Sequence, residues 1–346
     1  MRLENNKLSI IVPIYNEFKI VEKFILLLLE AFKDLNCQYI FIDDGSSDGT
    51  SEIIKTTLKK KFNNIEFKYK KLHKNYGKSR AVKEGLKYVD GTYTLLIDSD
   101  LEYSPYDALE LYMIALNNNS IDIIQGSRYL GAKLQARKYI FNDIAVKLNT
   151  FLFNFLFSQS ITDLHTGTKV IKTNLLKSLN LTYSRFGLEI NLNSQIAKKN
   201  IYIYEYGIGY IERSKEDGKK ITFVDGLLSY YYLFISRFIQ NDFQTNISIY
   251  YSFIGMLYIG TYFGMGIGKL LITIIFALAG LMIGLTRKII SISLIFLFIY
   301  LGSLFSSGNG RIYPILIFFL ISLYLSKKIS AKSIKLKKYP FLSFFI

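Results

Sequence analysis

The sequence predicts an α/β domain built on a mostly parallel sheet with helices on both faces, followed by a C-terminal α-helical transmembrane domain of about four helices. Short β-branched runs alternate with helical periodicity over the first hundred residues. All 27 acidic residues lie at or before Asp242, and four apolar segments follow that point. With 346 residues the chain is longer than an average domain, so two structural parts are expected.

The predicted strands and helices alternate along the first part. Strands are predicted at 8–13, 39–43, 65–68 and 93–97, and helices at 17–35, 50–62 and 79–89. Polar segments follow three of these strands, at residues 13–17, 43–46 and 98–100. Because ligands bind at the carboxyl ends of the strands in such sheets, the three loops are expected to form one cleft.

Two further helices are predicted to be amphipathic or interfacial. In residues 138–158 apolar side chains recur at helical spacing between polar ones, which fits either a core helix or one that lies on a membrane surface. Residues 220–243 are rich in aromatic side chains and directly precede the apolar segments, which favours the membrane surface.

The four apolar segments lie at about 247–263, 270–285, 289–305 and 312–325. Most lysines and arginines of this part lie in the tail and in the loop on the same side of the spans as the N-terminal domain. Because positively charged loops usually stay in the cytoplasm, the domain and both termini are predicted to be cytoplasmic. The predicted parts are a domain at 1–219, an interfacial helix at 220–243, the membrane domain at 244–326 and a basic tail at 327–346.

The chain has a net charge of +16, and its basic residues form no nucleic-acid-binding motif. Because the chain also has long apolar segments, a lipid bilayer is the expected partner and nucleic acid is not. The single cysteine, Cys37, cannot form an internal disulfide and is predicted to be a core residue of a reduced domain. The sequence leaves the oligomeric state open, with a homo-oligomer among the alternatives.

Asp98-Ser99-Asp100 follows a predicted buried strand and is the main candidate for chemistry. Residues two apart in an extended segment point the same way, so both carboxylates can approach one divalent cation, and Glu102 can add a third ligand. The acidic segment 43–50 at the end of another predicted strand has two possible roles. Asp48 and Ser47 can form a turn that caps a helix at Thr50, whereas Asp44 stays available to bind a base or ribose.

The order of these motifs resembles the family 2 glycosyltransferases, and most of all the dolichyl-phosphate mannose synthase and polyprenyl-phosphate glycosyltransferase branch. The resemblance is carried by Pro13-Ile14-Tyr15-Asn16-Glu17, Asp43-Asp44-Gly45-Ser46-Ser47-Asp48-Gly49-Thr50, Asn75-Tyr76-Gly77-Lys78, Asp98-Ser99-Asp100 and Gly126-Ser127-Arg128-Tyr129. It implies a GT-A fold with a Rossmann-like mixed sheet, dependence on Mg²⁺ or Mn²⁺, and inversion at the anomeric carbon.

The resemblance also implies roles for individual residues. The implied nucleotide-sugar-binding residues are Pro13, Tyr15, Glu17, Asp44, Lys78, Asp98, Ser99, Asp100, Arg213 and Lys219. The implied metal ligands are Asp98, Asp100 and Glu102, the implied acceptor-phosphate residues are Arg128 and Arg137, and the implied catalytic residues are Asp100, Arg128 and Arg213. The chain departs from the branch at Glu102, where Gln is usual, and at Thr168, where Phe is usual; His165 is interpreted as a turn residue rather than a base.

The predicted activity is transfer of a hexose from a nucleotide-sugar to a polyprenyl or dolichyl phosphate. GDP-mannose is the first candidate donor, and UDP-glucose or a UDP-hexosamine comes next. A processive polysaccharide synthase is one alternative, but such enzymes share a Gln-x-x-Arg-Trp motif and this chain has no Trp. The other alternative is a flippase for lipid-linked sugars with a regulatory domain, although spans without Asp or Glu fit an anchor better.

Overall fold

The computed structural model describes residues 6–61, 65–131, 133–182, 187–214 and 223–238. The chain divides into two compact units, Met1–Arg237 and Phe238–Ile346. The four predicted membrane segments, the basic tail and residues 215–222 lie outside the described residues, so the predictions made for them stay predictions.

The described residues form nine strands and eight helices. The strands are β1 Leu8–Ile14, β2 Cys37–Asp43, β3 Phe67–Lys71, β4 Tyr93–Leu96, β5 Ile123–Ser127, β6 Gln135–Ala136, β7 Lys169–Lys172, β8 Tyr204–Gly207 and β9 Tyr210–Ile211. The helices are α1 Val21–Ala31, α2 Thr50–Lys61, α3 Lys78–Gly85, α4 Pro105–Asn117, α5 Ile140–Phe157, α6 Thr173–Lys177, α7 Leu188–Lys198 and α8 Phe223–Phe238.

Seven strands form one sheet in the order β3-β2-β1-β4-β7-β5-β8, and β6 pairs with β9 in a second, two-stranded sheet. All neighbours in the large sheet are parallel except β7, which is antiparallel to both β4 and β5. The predicted mostly parallel sheet is therefore confirmed, with one reversed strand, β7, between β4 and β5. Buried apolar side chains pack on both faces of the sheet, as the unbroken apolar runs in β1 and β2 require.

Several element boundaries differ from the sequence prediction, and the helix predicted at 79–89 lies at Lys78–Gly85. The first helix begins at Val21 and ends at Ala31, which is shorter than the predicted 17–35, because residues 15–20 form the loop at the end of β1. The strand predicted at 65–68 lies at Phe67–Lys71, where it is an edge strand that pairs only with β2. Its mostly exposed side chains gave the sequence little periodicity to identify.

Helix α5 has one buried face and one exposed apolar face. Phe153 and Phe157 pack in a cluster with Ile190 of α7 and Leu233 of α8. Six large apolar side chains on the other face are exposed: Ile140, Phe141, Ile144, Leu148, Phe151 and Phe155. By length and composition, α5 is the one helix of the described part that could cross a membrane. Phe153 and Phe157 are the only buried apolar residues of this helix, so burial in the core does not account for most of its apolar side chains.

Candidate active site

The ends of β1, β2 and β4 bring the three predicted loops to one edge of the sheet. Ile14 pairs with Asp43 in the parallel register, and Ile11 pairs with Leu96 two residues before Asp98. The Ser99 hydroxyl donates a hydrogen bond to the carbonyl oxygen of Pro13 at 3.3 Å. The predicted convergence of the loops is therefore confirmed.

The loops after β1 and β2 hold each other in place. The backbone N–H of Asn16 donates to the Ser46 hydroxyl at 2.9 Å, and that of Glu17 donates to the Thr50 hydroxyl at 2.9 Å. Asp48 accepts from the backbone N–H of Thr50 at 3.0 Å, which confirms its predicted capping of α2. Glu17 is thereby fixed at the mouth of the cleft.

Asp44 links the second loop to the start of α3. Its two carboxylate oxygens accept the backbone N–H groups of Tyr76 at 2.9 Å and Gly77 at 2.7 Å. Gly77 has φ +91°, a conformation that glycine adopts without strain, and it directly precedes Lys78 at the first position of α3. Asp44 thus fixes the turn that places Lys78, and its predicted contact with a base or ribose stays a prediction.

Lys78 lies between two carboxylates. Its Nζ is 2.7 Å from Oδ1 and 2.9 Å from Oδ2 of Asp98, and 2.7 Å from Oε1 of Glu189 in α7. Burial alone would lower the pKa of Lys78, but the charges of Asp98 and Glu189 outweigh it and raise the pKa above its usual value. The ammonium group is therefore permanently charged at neutral pH.

Arg213 lies against the remaining acidic side chains of the cleft. Its Nη1 is 2.8 Å from Oε2 of Glu17, its Nη2 is 3.5 Å from Oδ2 of Asp100, and its Nε is 3.9 Å from Oε1 of Glu102. Glu102 also accepts the backbone N–H of Arg213 at 3.0 Å and the hydroxyl of Tyr210 at 3.1 Å. Glu102 therefore anchors the segment after β9 to the cleft.

The carboxylates of the cleft have the chemistry that a divalent cation needs. Burial first, and then the charges of Asp98 and Glu102, raise the pKa of Asp100 to about 7, so an added cation would relieve a real electrostatic cost. All the available ligands are oxygens, which suit Mg²⁺ or Mn²⁺. Within the described ranges, however, no group of three or more acidic, His or Cys side chains is arranged to hold a metal ion. The positive charges next to these carboxylates in the described part belong to Lys78 and Arg213.

Arg128 is buried in a two-pronged ion pair. Its Nε donates to Oδ2 and its Nη2 to Oδ1 of Asp163, both at 2.7 Å, and its guanidinium lies 5.1 Å from the centre of the Tyr210 ring. Burial alone would lower the pKa of the Arg128 guanidinium, but the negative charge of Asp163 outweighs this effect and raises that pKa. Asp163 already takes two of the donors with which Arg128 is predicted to bind an acceptor phosphate.

Arg137 lies next to Arg128, three residues before α5 begins. It donates to the carbonyl oxygen of Arg128 and pairs with Asp143, and its guanidinium stacks 4.1 Å from the centre of the Tyr129 ring. Glu212 accepts the backbone N–H groups that lead into α5. The two candidate acceptor-phosphate arginines are therefore brought together at the N-terminal end of α5.

His165 does not have the properties of a general base. Burial first, and then the positive charge of Arg128, lower its pKa to about 4, and its Nε2 is buried without a hydrogen-bond partner. Lys169 nearby is also buried, and burial lowers its pKa to about 8 while its ammonium donates to Gln125. Both belong to the polar interior beneath the cleft, in agreement with the interpretation of His165 as a turn residue.

The remaining predicted residues are only partly accounted for. Pro13 and Tyr15 are half-buried at the end of β1, and Lys219 lies outside the described residues. Several residues in direct contact with predicted ones, Glu189 and Asp163 among them, were not predicted to belong to the site. Asp163 lies two residues before His165, but nothing in the sequence indicated that it pairs with Arg128 or that Glu189 reaches Lys78.

The chain is similar to known glycosyltransferases in sequence. The pattern that defines the family Glycosyl transferase family 2 matches residues 9–179. A Dolichyl-phosphate beta-glucosyltransferase from Dictyostelium discoideum is 28% identical over 232 residues, which cover 63% of this chain and 70% of that protein. An Undecaprenyl-phosphate 4-deoxy-4-formamido-L-arabinose transferase from Photorhabdus laumondii is 26% identical over 215 residues, covering 62% of each.

The fold is that of a solved glycosyltransferase. Glucosyl-3-phosphoglycerate synthase from Mycobacterium tuberculosis, in complex with Mn²⁺, uridine diphosphate and glucosyl-3-phosphoglycerate, superposes with a TM-score of 0.53 and 16% sequence identity. The match covers 70% of this chain and 83% of that one, so the likeness shows the fold and the predicted GT-A architecture of the described part is confirmed. Together with the sequence pattern, this shows that residues 9–179 form a domain of the family Glycosyl transferase family 2.

Proposed function

We propose that the chain transfers a hexose from a nucleotide-sugar to a polyprenyl or dolichyl phosphate, with inversion at the anomeric carbon. One observation carries the choice of acceptor. Arg128 and Arg137 meet at the N-terminal end of α5, and the outer face of that helix is apolar and exposed. A phosphate on a long hydrocarbon chain has this combination of a charged head and an apolar tail. The relatives named for transfer to dolichyl and undecaprenyl phosphate support the same class.

The proposed reaction needs no general base. A phosphate monoester loses its second proton with a pKa of roughly 6, so it is mostly dianionic at neutral pH. Its oxygen attacks the anomeric carbon, the bond from that carbon to the nucleoside diphosphate breaks, and the nucleoside diphosphate leaves with the electron pair. No proton has to be moved, which agrees with the low pKa of His165.

The departing diphosphate gains negative charge, and the cleft has three ways to stabilise it. Lys78 and Arg213 are fixed cations at its edge. A bound Mg²⁺ or Mn²⁺ would supply Lewis-acid stabilisation of the same oxygens, with Asp98, Asp100 and Glu102 as its proposed ligands. Arg213 contacts two of those three residues, so it would share with the metal ion the task of balancing their charge.

The proposed location is a membrane surface, with the catalytic domain on the cytoplasmic side. The exposed face of α5 presents three phenylalanines, Phe141, Phe151 and Phe155. Aromatic side chains on one face of an amphipathic helix insert into the headgroup region of a bilayer. The four predicted spans would hold the domain there, so that a lipid phosphate reaches the cleft without leaving its membrane.

The function is tested with the full chain in membranes and one polyprenyl phosphate. Labelled GDP-mannose, UDP-glucose and UDP-hexosamines are supplied in turn, with and without EDTA. We expect one donor to give a lipid that carries a single sugar, and EDTA to abolish its formation. A long water-insoluble polymer would instead support a processive synthase, and movement of labelled lipid-linked sugar across liposomes without turnover would support a flippase.

A further inference from the structure

Glu189 reaches the cleft from below, in the first turn of α7. Its side chain is 7% exposed, and its Oε1 lies 2.7 Å from Nζ of Lys78. Glu189 lies in the first turn of α7, a position where acidic residues are favoured. A carboxylate this deeply buried requires a fixed cationic partner, and the Lys78 ammonium lies within hydrogen-bond distance of it.

The Lys78 ammonium is held between this deep carboxylate and the shallower one of Asp98, which is 23% exposed. The backbone at Gly167 lies on a third side of the Lys78 ammonium. A Cβ atom at that position would lie 1.9 Å from Oδ2 of Asp98 and 3.3 Å from Nζ of Lys78, so any larger residue would displace the pair. The lysine head is therefore fixed by three separate segments of the chain.

Asp98 and Asp100 make their direct contacts with different groups, although they are two residues apart. Both oxygens of Asp98 contact Lys78. Asp100 instead faces Arg213 at 3.5 Å and accepts the backbone N–H of Glu102 at 3.0 Å. The network of Glu189, Lys78 and Asp98 carries one net negative charge, and its cation lies where the carboxyl ends of the strands meet.

We propose that Glu189 is a positioning residue for the donor: it holds the Lys78 ammonium beside Asp98 in the place where Lys78 binds the phosphates of the nucleotide-sugar. This inference rests on the proposed function only in placing the donor phosphates at Lys78. Glu189 does not touch the donor itself and acts through Lys78. Without its charge, Lys78 would pair with Asp98 alone and shift toward the surface.

The test is equilibrium binding of UDP and GDP, each with Mg²⁺, to the full chain in detergent. We compare wild type with Glu189→Gln, Lys78→Met and the double variant. Glu189→Gln is expected to weaken the better-bound nucleotide about 10- to 100-fold, as loss of a supporting partner typically does. In the Lys78→Met background, Glu189→Gln should weaken nucleotide binding less than about threefold, because the lysine that Glu189 positions is absent.

Two further variants separate positioning from general support of the fold. Glu189→Asp keeps the charge and should bind nucleotide more tightly than Glu189→Gln. Glu84→Gln is the matched control, since Glu84 is also buried and pairs with Lys87 at 2.7 Å at the other end of α3; it should bind as wild type does. Equal losses from Glu189→Gln in both backgrounds, or unchanged affinity in that variant, would overturn the inference.

The binding measurement also separates this inference from the proposed function. A wild-type chain that binds nucleotide and follows the expected cycle, yet transfers no sugar to polyprenyl phosphate, contradicts the function and supports the role of Glu189. A chain that transfers sugar normally after Glu189→Gln contradicts the role of Glu189 alone. Failure of the wild type to bind either nucleotide contradicts both.

Discussion

The two sides of the cleft differ in how their charges are held. On the donor side, Lys78 and Arg213 are each paired with buried carboxylates from other elements. On the acceptor side, Arg128 is also buried in an ion pair, but Arg137 lies at the surface on the ring of Tyr129, at the start of a helix whose outer face is apolar. The donor side is preorganised for a diphosphate and a cation, whereas the acceptor side combines an accessible charge with a surface for hydrocarbon. Substitutions on the two sides should therefore change different kinetic constants.

The largest effect is expected from Asp100→Ala on the donor side. This change removes a carboxylate from the proposed cation and diphosphate site, so kcat should fall about a thousandfold. Transfer is measured with saturating donor and Mn²⁺, and membrane insertion is checked by carbonate extraction, which should be unchanged. Asp122→Ala is the control, because Asp122 is an exposed partner of Lys172. Undiminished product from Asp100→Ala would remove this residue from the mechanism.

The next effect concerns the apolar face of α5. Replacing Phe141 and Phe151 together with Ser removes two exposed rings, each worth about 1.5 to 3 kcal/mol when buried in an apolar phase. The apparent KM for a long polyprenyl phosphate should rise about thirtyfold or more, and that for a short-chain prenyl phosphate in detergent should change little. Tyr202→Ser serves as the control, because Tyr202 is 81% exposed and lies outside α5. Equal effects on both acceptors would argue against contact with the membrane.

A smaller effect is expected from Arg137→Ala. Loss of one charge-assisted contact should raise the apparent KM for the lipid phosphate about tenfold and leave the KM for the nucleotide-sugar within twofold. Arg80→Ala controls for loss of an exposed arginine elsewhere. Arg128→Ala should also raise the acceptor KM more than the donor KM, but it leaves the carboxylate of Asp163 buried without its partner and destabilises the fold by about 3 to 5 kcal/mol. An equal change in both KM values for Arg137→Ala would contradict its assignment to the acceptor.

The smallest effect on rate is expected at His165. Its pKa near 4 keeps the ring neutral at pH 7, so His165→Gln should change kcat less than threefold. Between about pH 6.5 and 4 the unfolded chain binds more protons here than the folded one, so the contribution of His165 lowers stability as the pH falls through that window. The chain has only two histidines, so NMR of a His73→Gln variant can follow His165 alone. A titration near pH 6.5 would contradict this environment.

The parts that could be predicted from the sequence are those with a local or periodic signal. Unbroken apolar runs marked β1 and β2, and polar residues directly after them predicted the position of the cleft, because parallel strands end at a common edge. The half-exposed character of α5 followed from its periodicity. The reversal of β7 was not predicted, since strand direction leaves no pattern in the residues themselves.

The site residues that the sequence missed depend on distant pairings. Lys78 and Glu189 are 111 residues apart, and Arg128 and Asp163 are 35 apart. An acidic residue in the first turn of a helix is common because the helix terminus favours its charge. The local sequence therefore does not show that Glu189 also pairs with a distant lysine. The likeness to the family identified motifs one by one, and the structure showed how their side chains are paired.

The central claim is that the acceptor is a phosphate at a membrane surface, activated without a general base. The most direct test offers the full chain in bilayer nanodiscs its nucleotide-sugar together with either a polyprenyl phosphate or the corresponding polyprenol. The two acceptors share the same hydrocarbon chain and differ only in the ionised head group. The account predicts a sugar-linked lipid from the phosphate and at least about a thousandfold slower transfer to the alcohol. Comparable rates with both acceptors would contradict it.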